Sequence, residues 1–314
     1  MKILITADWH VRGEKPVCRT EEDWIASQRE TISSIRQVFF KEECEQIWIL
    51  GDLFDAPKCS TAAVNMLIDE LKKFPVGSVK VLCGNHDLKD HRYDNLEECS
   101  IGIITKIFDD IPGCVYRLCS RSGTSTAEVS AKPFGLDDYG SVAEIVCTHQ
   151  LTFPDEESRP FEDCGVLAQE LLDKWASADI VFTGDYHHAF IHEEKHDGAR
   201  SRYVVNPGCI NIQKADELDY LPRVYVWSSD ICGPDIKPFK AFFLDPQSKF
   251  CTRDHIEARE ERDSRLSEVV ETIKDGTDVT LDFDSNLENA VKNTDLAIIG
   301  EYEELKQQLN GETK

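Results

Sequence analysis

The sequence predicts an α/β fold in which a sheet is covered by helices. Short apolar runs alternate with longer segments whose apolar residues recur every three or four positions. Such an alternation of strands and helices is typical of sheets with helices packed on their faces. Several apolar runs also end in acids and histidines. Because the sites of α/β folds lie beyond the carboxyl ends of strands, these run ends indicate a functional site.

The predicted elements follow one another regularly over most of the chain. Helical spacing predicts helices within 21–42, within 61–74 and near 165–175. The predicted strands are 2–8, 46–52, 78–87, 144–150, 179–185, 202–208 and 223–227.

Composition predicts a soluble globular protein that does not enter a membrane. Of the 314 residues, 41% are apolar and 30% are charged, and no apolar run approaches the roughly 20 residues of a membrane span. The apolar run at the start is too short for a signal peptide. The twelve cysteines are scattered singly along the sequence. We therefore expect reduced, mostly buried thiols and a cytoplasmic location.

The formal net charge of −24 argues against a protein that grips DNA by itself. DNA-binding proteins usually present a basic face, and the sequence contains no cluster of lysines and arginines. An acid-rich surface on its own indicates only solubility. A nucleic-acid substrate would therefore need something other than a basic patch to hold it.

Five predicted strands end in residues that can bind metals. In chain order these residues are Asp8 and His10, then Asp52, then Asn85, His86 and Asp87, then His149, then Asp185 and His187. Carboxylates, imidazoles and one amide form the mixed donor set that suits Mn²⁺, Fe²⁺ or Zn²⁺. Each motif alone also fits a turn, a helix cap or a buried histidine. Together they predict a dinuclear metal site.

Asp52 is the residue best placed to bridge two ions. The glycine that precedes Asp52 would let the backbone approach the metals closely. Two ions roughly 3.5–4 Å apart can share one carboxylate and polarise both a phosphoryl oxygen and a water. Among divalent ions we expect Mn²⁺, with Fe²⁺, Mg²⁺ and Zn²⁺ as alternatives.

The motifs DWH, GDLFD, GNHD, THQ and GDYHH resemble, in this order, the signature of the calcineurin-like metallophosphoesterases. More narrowly, GDLFDAPKCSTAAVNML and YVVNPGCI resemble the nuclease branch of Mre11 and bacterial SbcD. Further stretches are similar to the SbcD-like DNA repair exonuclease subunits of phages and prophages. The resemblance covers most of the chain and is strongest over residues 1–228. It implies a four-layer β-sandwich flanked by helices.

The resemblance also implies how the motif residues divide between two ions. One ion would be bound by Asp8, His10, Asp52 and His187, and the other by Asp52, Asn85, His149 and Asp185. A hydroxide that bridges the ions would attack the phosphorus atom. Asp185 departs from the broad family, which more often has histidine there. A carboxylate at this position favours a hard ion such as Mn²⁺.

Two residues of GNHD have implied roles in catalysis. His86 would stabilise charge on the phosphoryl group or protonate the leaving oxygen. Asp87 would orient the His86 imidazole through its other nitrogen. His91 lies just beyond this motif and has a possible role facing the substrate, whereas His188 is expected to be a surface residue beside His187.

The sequence is expected to divide at residue 235. Residues 1–235 form the metallophosphoesterase domain, and residues 236–314 form a small α+β appendage that resembles a reduced cap. This appendage is predicted to contain a charged helix near 255–274, a strand at 278–283 and helical residues to about 310. The resemblance implies an ATPase partner of the Rad50 or SbcC type, for which 302–309 is the available helical segment. A homodimer is a further possibility.

Three functions are compatible with these features. The resemblance implies a metal-dependent phosphodiesterase that hydrolyses DNA as an exonuclease or endonuclease, in the host cytoplasm if the chain is phage-encoded. The alternative is a phosphoesterase for nucleotides or other small phosphoesters, which the net charge and the short appendage favour. The third is an inactive binding protein that has kept the fold, but every expected ligand position is retained.

Overall fold

Two six-stranded sheets face each other across a shared apolar layer. The structure is a computed structural model, and it describes residues 1–111, 114–118, 125–131, 145–161, 164–195, 201–229, 239–245 and 248–275. The chain divides into two compact units, Met1–Cys251 and Thr252–Lys314. Both sheets belong to the first unit.

The strands and helices are numbered along the chain. The strands are β1 Lys2–Thr6, β2 Gln46–Leu50, β3 Val79–Leu82, β4 Asp109–Asp110, β5 Cys114–Leu118, β6 Ser125–Ala131, β7 Ile145–Thr148, β8 Thr152–Phe153, β9 Val166–Leu167, β10 Ile180–Phe182, β11 Phe190–Glu194, β12 Arg202–Asn206, β13 Arg223–Ser228 and β14 Phe239–Phe243. The helices are α1 Trp24–Lys41, α2 Thr61–Leu71, α3 Ile101–Ile104, α4 Ala168–Lys174 and α5 Asp254–Asp275.

Parallel strands form the centre of both sheets. The first sheet has the order β14-β13-β1-β2-β3-β4, and the second has the order β11-β12-β10-β7-β6-β5. In the first sheet β1, β2 and β3 run parallel, and in the second β7, β10 and β12 run parallel. The carboxyl ends of parallel strands meet at one edge of a sheet. The loops that follow β1, β2, β3, β7 and β10 can therefore converge.

Alternate residues of the central strands enter different apolar layers. In β1, Ile3 and Ile5 face the second sheet, whereas Leu4 faces α1 and α2. In β10, Phe182 lies between the sheets, whereas Val181 packs with α4. The resulting order of layers is helices, sheet, sheet, helix. This arrangement confirms the four-layer sandwich implied by the resemblance.

Short polar side chains fix the starts of the two helices that cover the first sheet. Asp23 precedes α1, and its Oδ1 accepts a hydrogen bond from the backbone N–H of Ala26 at 2.9 Å. Ser60 precedes α2, and its hydroxyl accepts one from the N–H of Ala63 at 3.3 Å. These caps satisfy amides that have no partner within the helix. They set where the chain leaves the loops that follow β1 and β2.

Strand β14 extends the first sheet beyond the expected domain. It pairs antiparallel with β13, with Tyr225 opposite Ala241. The division between units therefore falls after Cys251 and not at residue 235. In the second unit, α5 confirms the predicted charged helix near 255–274. The predicted strand at 278–283 and the helical residues to about 310, including 302–309, lie outside the described residues.

Two expectations from composition concern membranes and cysteines. None of the helices in the described ranges has the length and apolar character needed to cross a membrane. Nine of the ten cysteines within those ranges are present as thiols, and six of these nine are buried. These nine cysteines are therefore reduced, as the composition predicts.

The layer between the sheets generates a prediction about stability. Phe182 is fully buried there, and its ring meets the Trp48 ring edge-on with 6.4 Å between centroids. Replacing Phe182 with alanine should lower the free energy of unfolding by about 3–5 kcal/mol, because it leaves a cavity between the sheets. Urea denaturation followed by circular dichroism would measure this change. Phe243→Ala is the matched control, since its side chain is 62% exposed and should cost less than about 1 kcal/mol. Equal losses in both variants would contradict the assignment of this layer.

Candidate metal centre

Loops from both sheets meet at the carboxyl ends of the central strands. Across the sheets, a ring nitrogen of His149 lies 2.7 Å from the carbonyl oxygen of Leu50, at the end of β2. The backbone N–H of Asp185 donates to Asp8 Oδ1 at 3.0 Å, which joins the loop after β10 to the loop after β1. The structure therefore brings together side chains from five strand ends.

The carboxylate of Asp52 lies at the centre of this cluster. Its Oδ2 is 3.2 Å from Nε2 of His149 and 3.7 Å from Nε2 of His10. This oxygen is buried, and none of the described residues donates a hydrogen bond to it. The other oxygen, Oδ1, accepts a hydrogen bond from the backbone N–H of His86 at 2.9 Å. One oxygen is therefore held by the neighbouring loop, and the other is directed at two imidazoles.

Two overlapping groups of donor atoms share Asp52. The first contains Asp8, His10 and Asp52, and the second contains Asp52, His149 and Asp185, with the donor atoms of each group within 4.8 Å of one another. His187 and Asn85 complete the two groups. Nε2 of His187 lies 3.0 Å from Nε2 of His10, and Oδ1 of Asn85 lies 2.9 Å from Nε2 of His149. All seven residues expected to bind metal are thus close together.

The Nδ1 atoms of the three cluster imidazoles point away from the cluster, and an oxygen atom lies near each of them. Nδ1 of His149 faces the Leu50 carbonyl, and Nδ1 of His187 lies 2.6 Å from Glu217 Oε1. Nδ1 of His10 is 3.7 Å from Asp55 Oδ1, which is too long for a hydrogen bond. A proton on Nδ1 leaves the lone pair of Nε2 available toward the cluster. The three Nε2 atoms are the ones that converge.

Sharp turns place the acids and histidines directly after the strands. Asp8, His10, Asp52 and Asp185 all have positive φ angles, between 44° and 76°. Such angles are uncommon outside glycine and are found where surrounding contacts enforce them. Gly51 has a φ of 92°, and a Cβ there would lie 2.3 Å from Nδ1 of His149. Gly51 therefore makes room for the His149 imidazole. The expectation from the sequence was that this glycine lets the backbone approach the metals.

Burial shifts the pKa values of the central groups. It raises the pKa of Asp8 to about 7, although His149 and His187 oppose the effect. It also lowers the pKa of His10 to about 3, with the Asp52 carboxylate acting in the opposite direction. A neutral imidazole with a free lone pair is the form that binds a metal ion. His10 is in that form at neutral pH.

The residues present fit a pair of divalent metal ions. Oδ2 of Asp52, which accepts no hydrogen bond from the described residues, faces one imidazole of each donor group, as a ligand shared by two ions would. Each group combines carboxylate oxygens with imidazole nitrogens, and the second adds an amide oxygen. This mixture suits divalent ions of the first transition row and contains no thiolate. The fit rests on the chemistry of these donor atoms.

Asp87 has a different role from the one expected. Both of its carboxylate oxygens accept hydrogen bonds from backbone amides: Leu53 at 3.1 Å, Phe54 at 2.7 Å and Gly84 at 2.9 Å. Asp87 is fully buried, and these bonds join the loop after β2 to the loop after β3. The expectation that Asp87 orients the His86 imidazole is wrong, because its acceptor sites face the backbone.

The His86 imidazole is oriented by another group. Its Nδ1 lies 3.0 Å from the backbone carbonyl oxygen of Asp55. His86 is exposed, and its ring packs edge-on against His10 with 5.0 Å between centroids. The Asp55 carboxylate pairs with Arg12 at 2.9 Å. His86 therefore presents Nε2 at the accessible side of the cluster.

Glu217 is a site residue that sequence reasoning missed. It lies in the short turn Ala215–Glu217, beyond the NPGC segment, and its side chain reaches His187. Its position in KADE, among other charged residues, gives no signal that it is buried. The one hint in the sequence is that Glu217 follows YVVNPGCI, a segment that resembles the nuclease branch.

Two further histidines, His188 and His91, lie near the metal centre. His188 is exposed, and its ring packs against Tyr220 with 5.2 Å between centroids, as expected for a residue outside the metal centre. His91 is exposed, and its Nδ1 lies 2.9 Å from the carbonyl oxygen of Asn85. His91 therefore borders the site through the Asn85 backbone.

Comparison with known proteins gives the family. Residues 1–189 match the calcineurin-like phosphoesterase family, and this match covers more than half of the chain. The chain therefore belongs to the calcineurin-like phosphoesterase family. It is a phosphoesterase, and enzymes of this kind use divalent metal ions. A search of curated proteins finds no match.

The solved structures to which this chain is similar share little of its sequence. An archaeal phosphodiesterase is 15% identical, covers 78% of this chain over 100% of its own length, and has a TM-score of 0.37. The E. coli phosphoesterase Yfce is 14% identical, with 78% and 100% covered and a TM-score of 0.38. A metallophosphoesterase from Sphaerobacter thermophilus is 12% identical, with 78% and 90% covered and a TM-score of 0.37. These similarities are too weak to indicate a substrate.

The backbone contacts of Asp87 generate a prediction about its role. In Asp87→Asn the amide offers one acceptor oxygen to three N–H donors, so at least one buried amide loses its partner. We expect the free energy of unfolding to fall by about 1–3 kcal/mol, measured by urea denaturation. Asp94→Asn is the control, because Asp94 is exposed and forms a surface ion pair with Arg92, and it should change stability little. If Asp87→Asn left stability unchanged and lowered kcat, Asp87 would instead act by orienting the His86 imidazole.

Proposed function

We propose that this phosphoesterase hydrolyses the phosphodiester bonds of DNA, as a nuclease of the Mre11 and SbcD type. The observation that carries the hydrolytic part is the convergence of donor atoms from five strand ends on Asp52. DNA as substrate is supported by the resemblance of GDLFDAPKCSTAAVNML and YVVNPGCI to that branch. The two parts are independent, because a different substrate would leave the hydrolytic centre intact.

The ligands of the proposed centre follow from the two donor groups. Asp8, His10, Asp52 and His187 would hold one ion, and Asp52, Asn85, His149 and Asp185 would hold the other. When bound, such ions polarise a phosphoryl oxygen and lower the pKa of a water. Mn²⁺ is the ion we propose, because Asp185 adds a carboxylate to the second group.

His86 is the proposed catalytic residue. Its Nδ1–H donates to the Asp55 carbonyl, so the second proton of the ring sits on Nε2 when the imidazole is charged. From there it can donate to a phosphoryl oxygen or pass to the leaving oxygen. Exposure of His86 makes this nitrogen accessible to a substrate, whereas the neighbouring His10 is buried.

A second candidate function is the hydrolysis of nucleotides or other small phosphoesters. The net charge of −24 favours it, because a long polyanion is repelled by an acidic protein more than a small diester is. If DNA is the substrate, we propose that an ATPase subunit of the Rad50 or SbcC type supplies the positive charge that binds it. A homodimer would add a second acidic chain and would not solve this problem.

The substrate and the centre are tested together. Purified protein with Mn²⁺ is incubated with linear duplex DNA, single-stranded DNA and bis-p-nitrophenyl phosphate. We expect hydrolysis of DNA and of the small diester. In His86→Ala, kcat should fall by roughly 10²–10⁴-fold while Mn²⁺ is still bound, since this range is typical of a lost general acid. Asp52→Ala should lose both metal binding and activity.

The controls distinguish the two candidate functions. His188→Ala is the matched variant, because His188 is exposed one residue beyond His187 and packs against Tyr220. It should keep wild-type activity. The proposed ATPase subunit strengthens the binding of DNA and not the chemistry, so the isolated chain should still cleave DNA slowly at low ionic strength and high protein concentration. Cleavage of the small diester without any cleavage of DNA under those conditions would contradict the nuclease and support the second function. Activity that survives Asp52→Ala would contradict the metal centre itself.

Asp185 gives a separate prediction about the choice of metal. Asp185→His exchanges a hard oxygen donor for an imidazole nitrogen, which should shift the preference from Mn²⁺ toward Zn²⁺ or Fe²⁺. Competition between Mn²⁺ and Zn²⁺ in equilibrium dialysis would measure the ratio of affinities. An unchanged ratio would show that Asp185 does not bind an ion. Asp179→His is the control for a change of charge away from the cluster, because Asp179 directly precedes β10 and Asp185 follows it.

A further inference from the structure

Glu217 is a buried carboxylate that touches one histidine of the metal centre. Glu217 is only 3% exposed, and its Oε1 lies 2.6 Å from Nδ1 of His187. The two residues are separated by 30 positions in the sequence. A short contact of this kind, between a buried carboxylate and a partly buried imidazole, fixes which ring nitrogen carries a proton.

The second oxygen of Glu217 binds its own loop. Oε2 accepts hydrogen bonds from the backbone N–H of Gln213 at 2.9 Å and of Lys214 at 3.1 Å. The carboxylate therefore accepts from three N–H groups in all. Each of its oxygens is used, so the carboxylate cannot rotate without breaking at least one contact.

The loop that carries Glu217 is also tied to the loop after β1. The side-chain amide of Gln213 donates to the carbonyl oxygen of His10 at 2.9 Å. The carbonyl oxygen of Gln213 in turn accepts from the thiol of Cys18 at 3.1 Å. Glu217 thus stands on a segment whose position is set by contacts with the same loop that supplies two of the expected ligands.

The contact with Glu217 determines what His187 can offer to the cluster. A proton held on Nδ1 by the carboxylate leaves a lone pair on Nε2. That nitrogen lies 3.0 Å from Nε2 of His10, on the side of the cluster that includes Asp8 and Asp52. A histidine that binds a metal commonly donates its other N–H to a carboxylate, and loss of that partner weakens metal binding.

We propose that Glu217 is the positioning residue for His187, which holds the imidazole in the form and direction that bind the ion of the Asp8, His10 and Asp52 group. The inference rests on the proposed function, because it requires His187 to be a metal ligand. It assigns a role to a residue outside the five motifs. It also makes the loop after β12 a part of the metal centre.

Glu217→Gln is the substitution that tests this role with little change in shape. If the amide NH₂ faces His187, it donates to Nδ1, moves the ring proton to Nε2 and blocks the lone pair. If the amide is reversed, the NH₂ faces two backbone N–H groups that have no acceptor. In the first orientation the Nδ1–H of His187 loses its acceptor, and in the second the N–H groups of Gln213 and Lys214 lose theirs.

The measurement is the binding of Mn²⁺ to the full chain by isothermal titration calorimetry. Wild type should bind two ions, and Glu217→Gln should weaken one of them roughly 10- to 100-fold. The ¹⁵N chemical shifts of the His187 ring, assigned by comparison with His187→Ala, report the tautomer without any activity assay. We expect the proton on Nδ1 in wild type and a change in that signature in Glu217→Gln.

A double-mutant cycle separates positioning from general support of the loop. In a His187→Ala background, Glu217→Gln should have no further effect on Mn²⁺ affinity, because the ring it positions is absent. Glu70→Gln is the matched control, since Glu70 is also a buried carboxylate but contacts Arg36 of α1 and Lys73, which lies just beyond α2. It should lower stability without changing Mn²⁺ affinity.

The outcomes distinguish the inference from the proposed function. Wild-type affinity and an unchanged tautomer in Glu217→Gln would overturn the inference while leaving the metal centre intact. An equal loss of affinity with and without His187 would also overturn it, since Glu217 would then act only through the loop. A wild-type chain that binds no Mn²⁺ would overturn the proposed function and the inference together.

Discussion

The position of the Asp52 carboxylate is the constraint on which the rest of the site depends. It is fixed at the end of β2 by a sharp turn, in which Gly51 and Asp52 both have positive φ angles. One oxygen is held by the N–H of His86, and the carbonyl of Leu50, two residues earlier, holds His149. A single strand end therefore sets the distance between a carboxylate and two histidines that come from the loops of other strands, one of them in the opposite sheet.

The rigidity of this arrangement comes from the layer beneath it. β1, β2 and β10 are buried on both faces, so the residues that follow them leave the core at fixed points. Strained backbone at Asp8, Asp52 and Asp185 costs of order 1–3 kcal/mol for each residue and persists only where packing over-determines it. Hydrogen bonds between loops, such as those of Asp87, restrain the turns further. The donor atoms are thereby held by contacts within the protein, which reduces the cost of ordering them around an ion.

Sequence patterns predicted the strands and ligands whose signals are local. β2 and β10 are continuous apolar runs, and each motif residue follows its strand at a fixed short spacing. β6 was missed because STAEVSA alternates small and polar residues and has no apolar run. The roles of Glu217 and Asp87 could not be predicted, because each depends on which nitrogen faces which oxygen between distant segments. Such pairings are decided by tertiary packing, which leaves little trace in one sequence.

The net negative charge of the chain affects how large a phosphoester can bind more than it affects the hydrolysis of the bound phosphate. Charges are screened over about 8 Å at physiological ionic strength, so a phosphate at the centre responds mainly to nearby groups. Two divalent ions would place about four positive charges there, opposite the carboxylates of Asp8, Asp52 and Asp185. A small diester meets only this local field. Each further phosphate of a long DNA lies beyond it, over a protein of net charge −24. The repulsion therefore grows with the length of DNA that touches the surface, so the acidic character weakens the binding of long DNA and leaves the hydrolysis of a bound phosphodiester largely unaffected.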